Sequence, residues 1–340
     1  MIRVLTFGAF RNRQPLAYAP IRDRLAGRLR LVDDPTEAQI VTISHHKDLE
    51  LFGNRLWQML AARPGLRLVL LSEEPFWDSC WAPDPFARHQ VFATASGPLP
   101  YAVLNHQNSA IFQAAQVPYF LLTHPRYIAH YQPRLDRNAG RSATDWLAQF
   151  RDAEWDAGFM GEKRTHERHR PAWPAEDLWG LSVYRSRFTQ LCTGTRVLRL
   201  GKGWSDGPPR QALPDWHQDK LERFDLRCRY LGAFENTHQR EYVSEKIYDA
   251  FATGAIPLYF AGPGHAVHRL IRPGGWRNFH AVPPRPDAFD ARRPVSLAEA
   301  EAYAATQQHL AGLFATPRPA EAELERVAAA LTREFAALLS

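Results

Sequence analysis

The chain lacks long apolar runs. No stretch approaches the roughly 20 apolar residues of a membrane-spanning helix. The opening "MIRVLTFGAFRNRQPL" has no apolar core long enough for a signal peptide. Cysteine is scarce, with three in 340 residues, at Cys80, Cys192 and Cys228. An odd, widely spaced set forms neither a disulfide framework nor a zinc pattern. A reducing, cytoplasmic location is expected, with peripheral attachment to a membrane face left open. There is no Gly-x-Gly-x-x-Gly dinucleotide fingerprint. There is no Asp-x-Asp pair to hold a metal-bridged diphosphate, no RNA- or DNA-binding motif, no internal repeat and no low-complexity tract.

What remains is the composition of a folded protein: 45% hydrophobic and 23% charged residues. The length suggests about two domains with a full core. The net charge of +6 favours anionic partners, such as a nucleotide, a phosphorylated lipid, a membrane surface or nucleic acid. The densest basic stretch, "GEKRTHERHR" (161–170), reads as a solvated connector or as a basic interaction patch.

Strand and helix patterns alternate. "IRVLTFGAF", "AQIVTISHH" and "LRLVLLSEEP" read as strands, the last a continuous apolar run of the kind a buried parallel strand shows. "DLELFGNRLWQMLAARPG" has helical periodicity and stops at Pro64-Gly65. "YAVLNHQ" and "VPYFLLTHP" read as further strands, and "ATDWLAQFRDAEW" as a helix. Residues 161–178, rich in charge, Pro and Trp, are the expected linker. A second alternating run follows, then two Ala- and Leu-rich helices of high intrinsic propensity. The expected fold is α/β with doubly wound sheets. The expected divisions are a first domain over 1–160, a second over 179–320, and a last helix over 321–340 packing back. In such sheets ligands bind beyond the carboxyl ends of the strands. The chemistry is therefore sought just after strands.

Three places qualify. "FENTHQREYVSEKIYDAFATGAIPLYF" (234–260) runs from a strand end through a loop into a helix with one apolar face, Val243, Ile247, Ala250 and Phe251. Glu245 suits the positive end of that helix, whereas Lys246 does not. A phosphate at the helix N-terminus would account for the lysine. Pairing with Glu245 or Asp249 beside solvent would also do so. "VYRSRFTQL" offers Arg185, with Arg187 as competitor, and a surface arginine as the plain alternative. "LLSEEPFW" ends a buried strand in two acids, Glu73 and Glu74, which a polar loop would also explain. His45-His46 is a poor metal pair, because neighbours in a strand face opposite ways. The ten tryptophans suit sugar stacking as well as ordinary core.

The first of these stretches resembles the signature of the α-1,3/1,4-fucosyltransferases, glycosyltransferase family 10. It supplies Phe234-Glu235-Asn236, then Tyr242-Val243-Ser244-Glu245-Lys246, then Ile256-Pro257. The resemblance implies an inverting GT-B enzyme, two doubly wound Rossmann-like domains facing a cleft, that uses GDP-fucose and needs no metal or other cofactor to bind it. It implies that Lys246 contacts the donor diphosphate and that Glu245 holds donor hydroxyls. Tyr242 and Asn236 would line the nucleotide-sugar pocket. Glu235 would contribute or brace the loop. Arg185, three residues before Phe188 and ahead of "RLGKGW", resembles the family's phosphate-contacting arginine. The family often has Tyr where this turn has Leu200. Glu73, two residues before Pro75, resembles the catalytic base, with Glu74 one register away. The partners implied are GDP-fucose and a glycan acceptor, with no nucleic acid. Another metal-independent GT-B transferase, or a nonenzymatic nucleotide- or glycan-binding relative of the fold, would share much of this pattern. The acceptor and the linkage are not legible.

Overall fold

The computed structural model describes residues 1–208 and 212–340. Strands β1–β6 are Ile2–Thr6, Leu29–Leu31, Ile40–Ile43, Arg67–Leu71, His89–Thr94 and Gly97–Leu104. They form one sheet in the order β2-β1-β3-β4-β6-β5, parallel except for the β5–β6 hairpin. Helices α1–α4 are Ala19–Arg24, His46–Ala62, Pro75–Trp81 and Tyr119–Leu122. Leu49 and Leu56 of α2 pack on Val41, Ile43, Leu68 and Leu70 of the sheet. Those strand positions are continuous apolar runs because both faces are covered. His45 caps α2, its Nδ1 accepting from the Lys47 amide.

Helices α5–α7 are Arg126–Ala139, Ala143–Asp152 and Ser182–Leu191. Strands β7–β11 are Trp155–Met160, Ala172–Trp173, Leu178–Gly180, Val197–Leu200 and Cys228–Gly232. Strands β12–β14 are Thr237–His238, Ile256–Tyr259 and Arg277–Asn278. Helices α8–α12 are Trp216–Phe224, Glu245–Ala252, Val267–Leu270, Leu297–Phe314 and Arg318–Leu339. The second main sheet is parallel throughout, in the order β10-β7-β11-β13-β14. A small antiparallel sheet, β12-β9-β8, accompanies it. In both main sheets the sheet's second strand in chain order lies outside its first, and the later ones add on the first strand's other side. That is the doubly wound order, and its topological switch points are β1 and β7. The α/β class with doubly wound sheets read from the sequence holds in each of these two units.

The compact units are Met1–His124 with Ala320–Ser340, and Pro125–Pro319. The division thus falls at 124/125, whereas the sequence placed it at 160/161. The reason is β7, which pairs between β10 and β11 and brings α5 and α6 with it. Residues 161–178 are no free linker. The Gly161 and Lys163 amides continue the ladder to Leu200 and Lys202, and β8 and β9 lie within or at the end of the stretch. The segment expected as strand "VPYFLLTHP" holds the short helix α4, which begins just after Pro118.

Ser296 and Glu299 form a capping box at α11, and Ser142 and Asp145 form one at α6. Each is worth about 1 kcal/mol. The three cysteines are free thiols, with Cys192 and Cys228 buried. No helix is long and apolar enough to cross a membrane among the described residues.

Candidate functional site

At the second unit's helix α9, Ser244 is extended and serves as N-cap, its hydroxyl accepting from the Lys246 amide. Glu235, just past β11, is 2% exposed. Its carboxylate accepts from the Ser244 amide at 2.8 Å, the Ser244 hydroxyl at 2.7 Å and the Tyr259 hydroxyl at 3.2 Å. The Lys246 ammonium completes the set at 3.0 Å. Lys246 Nζ also donates to Ser244 Oγ at 2.8 Å and lies 3.4 Å from Glu245 Oε1. The lysine at the wrong end of a helix dipole is therefore held by two carboxylates. Burial would raise the Glu245 carboxyl, but the adjacent Lys246 charge prevails and holds it below its usual range.

Asp249, one turn further along α9, is not the partner of Lys246. It is fully buried and takes Lys220 Nζ at 2.6 Å, His217 Nε2 at 2.8 Å and the Tyr131 hydroxyl at 2.6 Å. Burial would raise its carboxyl, and Lys220 and His217 more than reverse this. This network pins α9 from behind to α5 and α8, so the helix start is a fixed feature.

The other residues sit unequally. The Asn236 carbonyl accepts from the Leu181 amide at 2.8 Å, tying the loop to the start of α7, and its side chain is half-buried. Tyr242 is 1% exposed. It presents no open ring face, which departs from a pocket-lining role and fits one of holding the loop. Glu235 likewise has the bracing geometry. Arg185 is half-buried, its guanidinium about 3.9 Å from where a side chain on Gly161 would begin. Gly161 directly follows β7, so this cation lies at the switch point where such sheets bind ligands. Arg187 is exposed and pairs with Glu167 at 3.5 Å. Beside Gly161, Gly201 has φ +106°, and a side chain there would strike the Gly161 carbonyl at 2.6 Å. Glycine is required at this exit from β10.

In the first unit, Glu73 follows β4 and precedes α3. It is 5% exposed and lies under two phenols. The Tyr18 hydroxyl donates to Oε1 at 2.6 Å and the Tyr119 hydroxyl to Oε2 at 2.8 Å. Burial pushes its carboxyl up to about 7, against the two tyrosine hydrogen bonds that lower it. An unshielded glutamate titrates near 4.5. A value near neutrality is the one that suits a general base. Glu74 is half-buried at the N-cap of α3 and makes no capping bond with its side chain.

Sequence reasoning missed the two tyrosines, which lie 55 and 46 residues away. It also missed Asp78, buried on α3, whose carboxyl burial pushes up to about 7. The signal was there, an acid in the first turn of a helix that also carries Phe76, Trp77 and Trp81. Close by, His45 lies 3.9 Å from the Trp77 ring, with Phe10 and Arg13 also against these rings. A groove of about 550 Å³ along α2 and β5 is lined by none of the candidate residues.

Tyr18→Phe tests the environment of Glu73. Removing a bond that lowers the carboxyl pKa should shift the Glu73 titration further up. The midpoint, read by carboxylate-selective NMR or by a rate profile, should move to higher pH. An unmoved midpoint would show that Tyr18 does not govern it.

Residues 184–280 match the family model described as glycosyltransferase family 10 (fucosyltransferase), C-terminal region. The resemblance carried by Phe234–Phe260 is borne out across that stretch, which spans Arg185, Glu235, Asn236, Tyr242, Glu245 and Lys246. Three solved structures of alpha1,3-fucosyltransferase are similar at 12–13% identity. The one with GDP-fucose has a TM-score of 0.43, over 92% of this chain and 80% of that one. Another has 0.42, over 95% and 81%. The one with GDP has 0.41, over 92% and 80%. No curated protein matches the chain.

Proposed function

We propose that the protein is a cytoplasmic inverting glycosyltransferase of the fucosyltransferase type, moving fucose from GDP-fucose to a hydroxyl of a glycan. The observation that carries this is the family 10 match over the segment that builds the Glu235–Ser244–Lys246 cluster. The fucosyltransferase description of that family supports GDP-fucose as the donor in this reading.

The chemistry follows from the side chains. In an inverting displacement the acceptor oxygen attacks the anomeric carbon as the carbon–diphosphate bond breaks. The acceptor proton passes to a carboxylate, and the leaving GDP takes the electron pair. Glu73 is the proposed base, poised by burial to accept a proton near neutral pH. Lys246 and Arg185 are the proposed cations that stabilise the leaving diphosphate. The 3.4 Å contact of Lys246 to Glu245 is longer than its 3.0 Å contact to Glu235, and is the one a phosphate oxygen would replace. Glu235 and Ser244 keep the ammonium in place while that exchange occurs. Glu245, once released, is free to accept hydrogen bonds from sugar hydroxyls. Cations in these positions would replace a metal at the diphosphate.

GDP should raise the melting temperature, and UDP, CDP and ADP should raise it less, because ligands that bind only the native state stabilise it. Differential scanning fluorimetry at saturating nucleotide checks this. Equal shifts for all four, or none with GDP, would rule out the guanine donor.

A further inference from the structure

We propose that Asp177, His238 and His280 form a site for a zinc-class divalent cation in the second unit. Their ligand atoms, one from each residue, lie within 4.8 Å of one another. His238 Nε2 is 3.0 Å from Asp177 Oδ2, and His280 Nε2 is 3.3 Å from Asp177 Oδ1. Two imidazoles and one carboxylate at these separations match the three protein ligands of zinc sites that keep a fourth position open. Imidazole nitrogen favours zinc-like metals over magnesium or calcium, which take oxygen ligands.

Four further observations point the same way. Gly262 lies at the cluster's edge. Any side chain there would run into the Asp177 carboxylate and start 3.1 Å from both His238 Nε2 and His280 Nε2. Glycine thus leaves space between the three ligand atoms. Asp177 is a non-glycine residue in the left-handed region, at φ 49°. Such backbone costs energy and clusters where a side chain must be aimed. The Trp179 indole donates to Asp177 Oδ1 at 2.7 Å, the kind of hydrogen bond that orients a ligating carboxylate. The Phe260 ring walls both imidazoles, at 5.2 Å from His238 and 5.0 Å from His280.

The three ligands come from three places in the chain: just before β9, on β12, and just after β14. A cation there would clasp these segments together. His238 is two residues beyond Asn236 and three beyond Glu235, so the clasp would fix the loop that leads to α9. None of its ligands is among the cations proposed to hold a diphosphate. Its test therefore stands apart from donor binding.

The full chain, stripped with chelator, is titrated with Co²⁺ as a spectroscopic substitute for Zn²⁺. Melting temperature is followed in parallel with Zn²⁺ and with Mg²⁺. One equivalent of Co²⁺ should give visible absorption bands of low-symmetry, nitrogen-ligated cobalt. Zn²⁺ should raise the melting temperature and Mg²⁺ should not. His280→Ala, at a half-buried position, and Asp177→Asn should each abolish the bands and the zinc shift while still melting cooperatively. Absent bands together with no zinc shift in the parent protein would overturn the site. So would bands and a shift that persist unchanged in both variants.

Discussion

Glu73→Gln is expected to leave GDP affinity near the parent value and to lower fucose transfer by roughly 100-fold or more, the usual scale for loss of a general base. Glutamine keeps the side-chain length and one acceptor oxygen, so one tyrosine hydrogen bond persists. It cannot take the acceptor's proton. The parent rate should rise with pH through a midpoint near 7, because burial places the carboxyl there. A midpoint near the ordinary glutamate value would contradict the buried environment.

The same shift has a stability consequence of definite sign. The folded carboxyl titrates near 7 and the unfolded one near 4.5. Between those values the folded state binds more protons, so this group makes stability fall as pH rises through that window. Glu73→Gln removes the effect. Its melting temperature should exceed the parent's at about pH 8 and meet it near pH 4. Labelled-fucose transfer, GDP calorimetry and melting on the same samples separate the two effects. Glu74→Gln and Asp78→Asn are the comparison variants. If one of them abolishes turnover while Glu73→Gln does not, the base is that neighbour.

Lys246→Ala should carry the largest stability effect at the proposed donor site. It leaves the Glu235 carboxylate buried with only Ser244 and Tyr259 to satisfy it. Breaking a buried pair in this way costs about 3–5 kcal/mol, and the partial exposure of the lysine argues for the low side, about 2–4 kcal/mol. Lost GDP binding in this variant alone would therefore be ambiguous. The double change Glu235→Gln with Lys246→Met removes both charges at similar volume. It should recover most of the stability while GDP affinity stays weak, and guanosine affinity should change little. A charged hydrogen bond of about 1.5–3 kcal/mol is the size of the expected loss. Denaturant melts and calorimetry measure the two quantities. GDP affinity restored along with stability would mean that Lys246 only braces the loop.

The residues show what sequence can and cannot carry. The alternation of apolar strands with amphipathic helices was readable because burial on both faces leaves continuous runs, as in Arg67–Leu71. The Ser296–Glu299 pair was readable as local hydrogen-bond chemistry. The placement of Lys246 was readable only as a conflict with the helix dipole. Its main partner, Glu235, lies eleven residues back, across a loop whose path no periodicity encodes. The pKa of Glu73 was not readable at all, since it depends on burial and on phenols brought in from Tyr18 and Tyr119. The domain division was misplaced because residues 161–178 look like a connector by composition, while the pairing of β7 between β10 and β11, which decides the matter, joins segments far apart in the chain. Asp177 and His280 lie 103 residues apart, so their meeting is a product of topology alone.

Helix α12 has a consequence for how the protein is made. Its residues from Ala320 onward belong with the first 124 residues. The Glu323 carboxylate accepts the amides of Ala115 and Gln116, and Glu334 takes Arg88 and the Ser109 hydroxyl. A ribosome delivers that helix after all of Pro125–Pro319. The second unit is therefore complete in sequence, and able to fold, while the first still lacks the segment that satisfies its exposed amides. A nascent chain would hold its beginning unfinished until its final turn of helix emerges.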